Sequence, residues 1–158
     1  PELIVMDEPT TALDVVVQKQ ILQEIKQLKD EFGFSILFIT HDLSLLVEFS
    51  NRIGIMYAGR LAEIGSARDI FTEPRHPYTH KLMNSFPTVF GPRQLLQGIP
   101  GSPPDLITPP PGCRFHPRCE YAIDGKCNVI EPELQEVGKR HQAACHLVEE
   151  GIYVHEHA

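Results

Sequence analysis

Two acidic side chains and a histidine follow the most apolar segments in the first third of the chain. Asp7 and Glu8 come directly after the run Leu3–Met6, and His41 comes directly after Ile36–Thr40. The carboxyl ends of neighbouring parallel strands meet at one edge of a sheet, where α/β proteins bind their ligands. One carboxylate can hold Mg²⁺, the next can polarise a water molecule, and an imidazole can reach a phosphate. The pattern is typical of a Mg-nucleotide site, although each part alone is also common as a solvated strand end or a helix cap.

Four cysteines, spaced C-x5-C-x7-C-x17-C, all lie in the last third of the chain. They are Cys113, Cys119, Cys127 and Cys145. Structural zinc sites usually contain a tight C-x2–4-C pair, which is missing here, whereas four irregularly spaced thiolates suit a [4Fe–4S] cluster. Zinc and free or oxidised thiols remain alternatives, because thiolates bind zinc as well as iron. We expect a structural role for a bound group, since this region has few large apolar residues.

Residues 1–86 alternate between strand and helix signals, which predicts an α/β fold. The two apolar runs are uninterrupted, as expected of parallel strands covered on both faces. Between them, apolar residues recur at helical spacing from Asp14, a candidate N-cap, to a stop at Gly33. Asp42 can cap a second, short helix. We also predict a hairpin over 52–64 and short helices over 66–71 and 78–85.

Proline dominates residues 87–112. Eight prolines there exclude a regular helix or a central strand, so we predict an extended connector that leads to a compact cysteine module at 113–158. Fourteen basic residues against 21 acidic ones give a net charge of −7, which argues against nucleic acid as a partner. The apolar runs are far shorter than a membrane-spanning helix.

The motifs resemble the second half of the nucleotide-binding subunit of an ATP-binding-cassette (ABC) transporter. The segment LIVMDEPTTALD at 3–14 carries the likeness, together with His41. The resemblance implies the C-terminal part of an ABC (P-loop NTPase) domain. It makes Asp7 the Walker B aspartate for Mg-ATP, Glu8 the catalytic glutamate and His41 the switch histidine. Asp14 would belong to the D-loop, which contacts the second subunit of an ABC dimer.

The tail is similar to that of oligopeptide and dipeptide importers, and this narrows the resemblance. The segments that carry it are RHPYT at 75–79, IPGSPPDL at 99–106 and PPGCRFHPRC at 110–119. The subfamily implies an ATP-hydrolysing subunit that powers peptide import and carries a [4Fe–4S] cluster on the four cysteines. Such a subunit would bind membrane subunits peripherally, at the cytoplasmic face of the membrane, and pair with a second ATP-binding subunit.

The sequence contains neither a G-x-x-x-x-G-K-[ST] phosphate loop nor the family's Leu-Ser-Gly-Gly-Gln signature. We therefore expect the chain alone to be inactive as an ATPase, and its inner strands, left unpaired, to promote self-association. Two other functions stay open. One is a non-catalytic metal-binding interaction module, and the other is an ABC ATPase outside transport, which the tail and the acidic balance disfavour.

Overall fold

The chain folds into two units, one formed by residues 1–50 and the other by residues 51–158. The computed structural model describes residues 1–10, 13–85 and 98–152. Its mixed α/β architecture agrees with the fold class expected from the sequence. The division at residues 86 and 112 stays a prediction, because part of the proline-rich connector lies outside the described residues.

The first unit contains two parallel strands and two helices. Strand β1 (Leu3–Asp7) pairs with β2 (Ser35–Ile39) in a register that sets Val5 opposite Leu37. Helix α1 (Val15–Phe32) begins at Asp14, whose Oδ1 accepts from the N–H groups of Val16 and Val17, each at 3.0 Å. It ends at Gly33, which adopts the left-handed conformation at φ 73°. The predicted strands, cap and stop are confirmed, and α2 (Leu43–Phe49) begins after Asp42 as expected.

One face of this two-stranded sheet is apolar and open. Side chains alternate along each strand, so the same face carries four exposed aliphatic residues on the two strands. Their exposed fractions lie between 46% and 59%; they are Leu3, Val5, Leu37 and Ile39. The residues that alternate with them are half-buried. The sequence predicted strands that are covered on both faces. That prediction is wrong for this unit, because one face of the sheet is half-buried and the other is exposed.

The second unit is built on an antiparallel sheet in the order β3-β4-β6-β5. Strands β3 (Arg52–Tyr57) and β4 (Arg60–Ser66) form the predicted hairpin. Its turn residues, Ala58 and Gly59, both have positive φ (48° and 80°), as a two-residue hairpin turn requires. Short helices α3 (Ala67–Thr72) and α4 (Pro77–Asn84) follow, each within one residue of its predicted span.

The cysteine-bearing tail completes this sheet. A 3₁₀ turn (His116–Arg118) precedes β5 (Gln135–Gly138), β6 (His141–Ala143) and α5 (His146–Glu149). Strand β6 pairs with β4, setting Ala143 opposite Glu63. Residues 98–112, the described part of the connector, contain neither helix nor strand, as predicted. Arg118 holds the start of this stretch: its guanidinium donates to the carbonyls of Ile99 (2.9 Å) and Pro100 (2.8 Å).

A fully buried carboxylate joins three parts of the second unit. Glu63 on β4 accepts from the backbone N–H of Arg75 (2.8 Å) and of His76 (2.9 Å), and its Oε1 lies 2.7 Å from Nε2 of His141 on β6. A carboxylate removed from water is stable only when such partners satisfy it. Glu63 therefore fixes the loop before α4 and the tail strand to the same hairpin.

His76 stays neutral in this environment. Burial lowers the pKa of its imidazole to about 4, although the nearby Glu63 acts in the opposite direction. Its Nδ1 accepts from the N–H of Tyr78 at 3.0 Å and so caps α4. Because the folded-state pKa lies below the ordinary 6.5, this residue contributes stability above that pH, and the contribution is lost as pH falls towards 4.

Replacing Glu63 with alanine should destabilise the second unit by about 3 kcal/mol, because three donors, two of them buried, would lose their acceptor. Denaturant unfolding, followed by circular dichroism, measures the change. The matched control is Glu136→Ala on the exposed side of β5, where we expect at most about 0.5 kcal/mol. Equal stability of the two variants would contradict the role given to Glu63.

Candidate functional site

The ends of β1 and β2 bring the predicted acid and histidine together. Oε1 of Glu8 lies 2.7 Å from Nδ1 of His41. Both side chains remain accessible, with 38% of the Glu8 side chain and 76% of the His41 side chain exposed. Glu8 raises the pKa of His41 above 6.5, first through this hydrogen bond and then through its negative charge, while Asp42 adds a smaller effect. The pair is therefore an ion pair over a wider pH range than an isolated histidine would allow.

The backbone explains how Glu8 reaches this position. Its N–H donates to the carbonyl of Ile39 at 2.9 Å, which extends the parallel ladder one residue beyond β1. The residue then turns with φ 47°, in the left-handed region that residues other than glycine seldom adopt. The turn thus falls at the second of the two acids, directly after the end of β1. Such strained positions cluster at functional sites.

The other two predicted residues of this site, Asp7 and Asp14, have different contacts. Asp7 ends β1 opposite Ile39 and is exposed. Asp14 is engaged as the N-cap of α1, so its carboxylate already has two backbone donors. Ala12, the first residue of the predicted D-loop Ala12-Leu13-Asp14, lies outside the described residues.

Sequence reasoning missed Gln18 as a residue of this region. Its side-chain Nε2 donates to the carbonyl of Thr10 at 2.8 Å, and Thr10 is buried. Gln18 thereby ties the segment after Glu8 to the first turn of α1. Its position four residues after the Asp14 cap was the available signal, since that spacing places it on the same helix face as the cap.

The four cysteines line one small, partly enclosed cavity in the second unit. Its wall includes Cys113, Cys119, Cys127 and Cys145, and His116 and His146 contribute to it. All four thiols are free of disulfides. Cys113 and Cys127 are also joined through the backbone, since the N–H of the first donates to the carbonyl of the second at 2.8 Å. Four cysteines that are up to 32 residues apart in the sequence therefore line the same cavity.

Burial makes three of the four thiols weaker acids. Burial raises the pKa of the Cys113 thiol, of Cys119 to about 11 and of Cys145 to about 12, and neighbouring cysteines add to the rise in each case. Within residues 1–10, 13–85 and 98–152, no three cysteine, histidine or acidic side chains converge closely enough to hold a single metal ion. No metal site is therefore shown at the four cysteines, neither for a zinc ion nor for a [4Fe–4S] cluster.

The histidines near the cysteines have other partners. Nδ1 of His116 lies 2.8 Å from the carbonyl oxygen of Cys113, and Nε2 of His146 lies 2.8 Å from that of Ile130. His141 is bound to Glu63. A carbonyl only accepts, so each of the first two rings donates to it. These contacts hold backbone segments beside the cysteines.

Known proteins resemble this chain along most of its length. Residues 62–127 match the model of the oligopeptide/dipeptide transporter C-terminal region. The dipeptide transport ATP-binding protein DppD of Caldanaerobacter subterraneus is 42% identical, over 96% of this chain and 46% of that protein. A probable peptide ABC transporter ATP-binding protein, y4tR of Sinorhizobium fredii, is 50% identical over 92% and 43%. The oligopeptide transport ATP-binding protein AppD of Bacillus subtilis is 45% identical over 95% and 45%.

Over 92–96% of its length, the chain is similar to ATP-binding proteins of peptide ABC transporters. It spans about half the length of the curated relatives it matches. The resemblance to peptide ABC transporter ATP-binding subunits, which the sequence analysis based on the LIVMDEPTTALD segment and on segments between 75 and 119, is confirmed. In the part of the chain that the structure describes, no helix is both long and apolar enough to cross a bilayer.

Changing Glu8 to glutamine should return the pKa of His41 towards 6.5, because the amide keeps the shape of the side chain but removes its charge. Titration of the His41 ring resonances by NMR measures this. Because the folded pKa of His41 is raised, the pair stabilises the fold below 6.5, and its contribution is lost as pH rises through the raised pKa. Glu48→Gln, in the same unit, should leave the titration unchanged. A His41 pKa at or below 6.5 in the unmodified chain would contradict the contact.

Proposed function

We propose that this chain is part of an ATP-hydrolysing subunit that powers peptide import through an ABC transporter. The observation that carries the proposal is the contact between Glu8 and His41 at the carboxyl ends of two parallel strands. It occurs in a chain that is 42–50% identical to ATP-binding proteins of peptide transport. Neither alternative function accounts for both observations.

Each residue of the site has a distinct task in this proposal. Asp7 would hold Mg²⁺, because an exposed carboxylate at a strand end offers the oxygen ligand that this hard cation prefers. The ion would offset the negative charge of the phosphates. Glu8 orients the attacking water and accepts its proton. His41 donates to the same carboxylate, so it positions Glu8 and can hydrogen-bond the γ-phosphate when that contact opens.

Asp14 and Gln18 support the site from α1. Asp14, the last residue of the proposed D-loop Ala12-Leu13-Asp14, fixes the start of the helix. Gln18 fixes the backbone at Thr10, just before that loop. In the proposed assembly this loop contacts a second ATP-binding subunit. The fixed positions of Thr10 and Asp14 favour such a contact, because these two residues lose little conformational entropy on binding.

The proposed partners are the membrane subunits of the transporter and a second ATP-binding subunit, at the cytoplasmic face of the membrane. The first unit has an open apolar face, formed by Leu3, Val5, Leu37 and Ile39. An exposed apolar surface of this kind is expected to be covered by other protein in the assembly. Unless that face is covered, we expect the chain to associate with itself through this face and the strand edges beside it.

A [4Fe–4S] cluster is the group we propose for the four cysteines. Four cysteines around one cavity are the donor set that such a cluster uses. Each thiolate of a cubane binds a different iron atom, so the thiolates need not converge on one point as they would around a single ion. Bound there, the cluster would link the segment 113–127 to the start of α5 and so stabilise the tail.

In a full-length subunit that contains this sequence, Glu8→Gln should lower ATP turnover by about 100-fold or more while ATP affinity is retained, because water activation is lost and the phosphate contacts remain. The variant should accumulate as an ATP-bound dimer. Turnover by phosphate release and affinity by equilibrium binding separate the two effects, and His41→Ala should also reduce turnover more than affinity.

The matched control is Glu48→Gln, an exposed acid in the same unit, which should leave turnover unchanged. This 158-residue chain alone should neither bind ATP tightly nor hydrolyse it, because its sequence has no phosphate loop. Loss of ATP binding in a folded Glu8→Gln subunit, or Glu8-dependent turnover by the chain alone, would contradict the roles assigned here.

Protein purified without oxygen should be brown and contain about four iron and four sulfide ions per chain. Serine substitution of Cys113, Cys119, Cys127 or Cys145 should bleach it and loosen residues 113–146, while the first unit stays intact. Elemental analysis and absorbance measure the cluster, and amide hydrogen exchange measures the loosening. Asn128→Ser, beside Cys127, is a control that should keep the colour. Stoichiometric zinc without iron from anaerobic cells would refute the cluster.

A further inference from the structure

A second, larger cavity in the second unit has no role in the function proposed above. It is a groove of about 590 Å³ between the start of β4 and the segment Glu131–Leu134 that leads into β5. Its volume falls within the range of small-molecule binding sites. We call it the β4–131 groove. Its inner wall, at His76, Cys113 and Phe115, is shared with the cysteine cavity.

The floor of the β4–131 groove is apolar and rigid. Tyr57, Ala62, Phe115 and Ala144 line it, and each is buried. The rings of Tyr57 and Phe115 pack edge to face with centroids 5.1 Å apart, and the Tyr57 hydroxyl lies 3.2 Å from Nη1 of Arg118. A floor held in this way is already formed before a ligand arrives, so little ordering is required on binding.

The rim carries charges of both signs in equal number. Arg60 and Arg114 face Glu131 and Glu133 around the groove. Arg60 crosses the mouth and binds Glu131, with Nε 2.8 Å from Oε1 and Nη2 3.3 Å from Oε2. Both side chains of this pair are about half exposed, at 59% and 49%. Exposed ion pairs contribute little to stability, so a ligand charge can replace one partner at low cost.

This distribution of charge selects a ligand class. A nucleotide or another polyanion would meet Glu131 and Glu133, and a polycation would meet Arg60 and Arg114. A zwitterion satisfies both signs: its carboxylate can take the bidentate place of Glu131 on Arg60, and its ammonium can approach the acids. The buried floor favours an apolar side chain between those two charges.

We propose that the β4–131 groove binds short zwitterionic peptides that carry an apolar side chain. The inference deepens the proposed function, since it gives a peptide-transport subunit a site for molecules of the class it helps to import, and to that extent it rests on that function. Binding to the groove itself requires neither ATP nor the site at Glu8. Failure of one proposal is therefore distinguishable from failure of the other.

The test is an NMR titration of the ¹⁵N-labelled chain with the tripeptide Ala-Leu-Ala. All samples come from one anaerobic preparation whose metal content has been measured. We expect saturable shifts at the amides of Ala62 and Ala144 and none at Ile36 in the first unit. The same tripeptide with an acetylated amino end and an amidated carboxyl end should bind at least tenfold more weakly. Arg60→Gln and Glu133→Gln should each weaken binding of the free tripeptide about fivefold to tenfold.

Two matched variants control for general effects of charge. The variants are Arg52→Gln and Glu136→Gln. Arg52 lies on β3, next to β4, and Glu136 lies three residues after Glu133; neither residue lines the groove. Both should bind Ala-Leu-Ala as the unmodified chain does. The proposal is overturned if the unmodified chain shows no saturable shifts, if the capped peptide binds as tightly as the free one, or if the control variants lose as much affinity as the groove variants.

Discussion

The buried carboxylate of Glu63 is the interaction on which the second unit depends. Without water, its charge must be balanced by donors, and the structure provides the N–H groups of Arg75 and His76 and the imidazole of His141. These donors come from the loop before α4 and from a strand 78 residues further along the chain. Apolar packing alone would permit many arrangements of the hairpin, the loop and the tail strand. The carboxylate of Glu63 selects one of them, because any other arrangement leaves a buried charge unpaired.

The cysteine cavity and the β4–131 groove both follow from that arrangement. Once His141 is fixed, β6 pairs with β4, and the adjoining residues Ala144 and Cys145 are carried to the groove floor and to the cysteine cavity. His76, fixed by the same carboxylate, lines both cavities. Phe115 is fully buried between them, against Tyr57, Tyr78 and His76. The two cavities therefore share a wall of rigid residues, and a change in either one is transmitted through contacts that have little room to adjust.

Local features of the sequence predicted the local structure well. Asp14 and Asp42 cap their helices, Gly33 ends α1, and Ala58-Gly59 makes the hairpin turn, because each of these residues acts through backbone groups a few positions away. The link between Glu63 and His141, and the pairing of β6 with β4, could not be predicted in this way. Glu63 alternates with apolar residues in a strand and has the sequence signal of an exposed acid, and its burial depends on donors far along the chain. Gln18 was missed for a related reason. Its partner is a backbone carbonyl, a group that every residue has, so the side chain at position 10 gives no sign of the contact.

The candidate ATP site depends on strand register in the same way as the cysteine cavity depends on Glu63. Asp7 lies opposite Ile39, and Glu8 extends the ladder to that carbonyl, so His41 comes within 2.7 Å of Glu8 only in this register. A slip by one residue would turn every side chain to the opposite face. Burial of alternate residues is what normally prevents such a slip, yet Leu3, Val5, Leu37 and Ile39 remain exposed here. Within this unit, burial of side chains therefore stabilises the register of β1 and β2 on one face of the sheet only. Covering the open face would stabilise the register further and so hold Glu8 and His41 together more firmly.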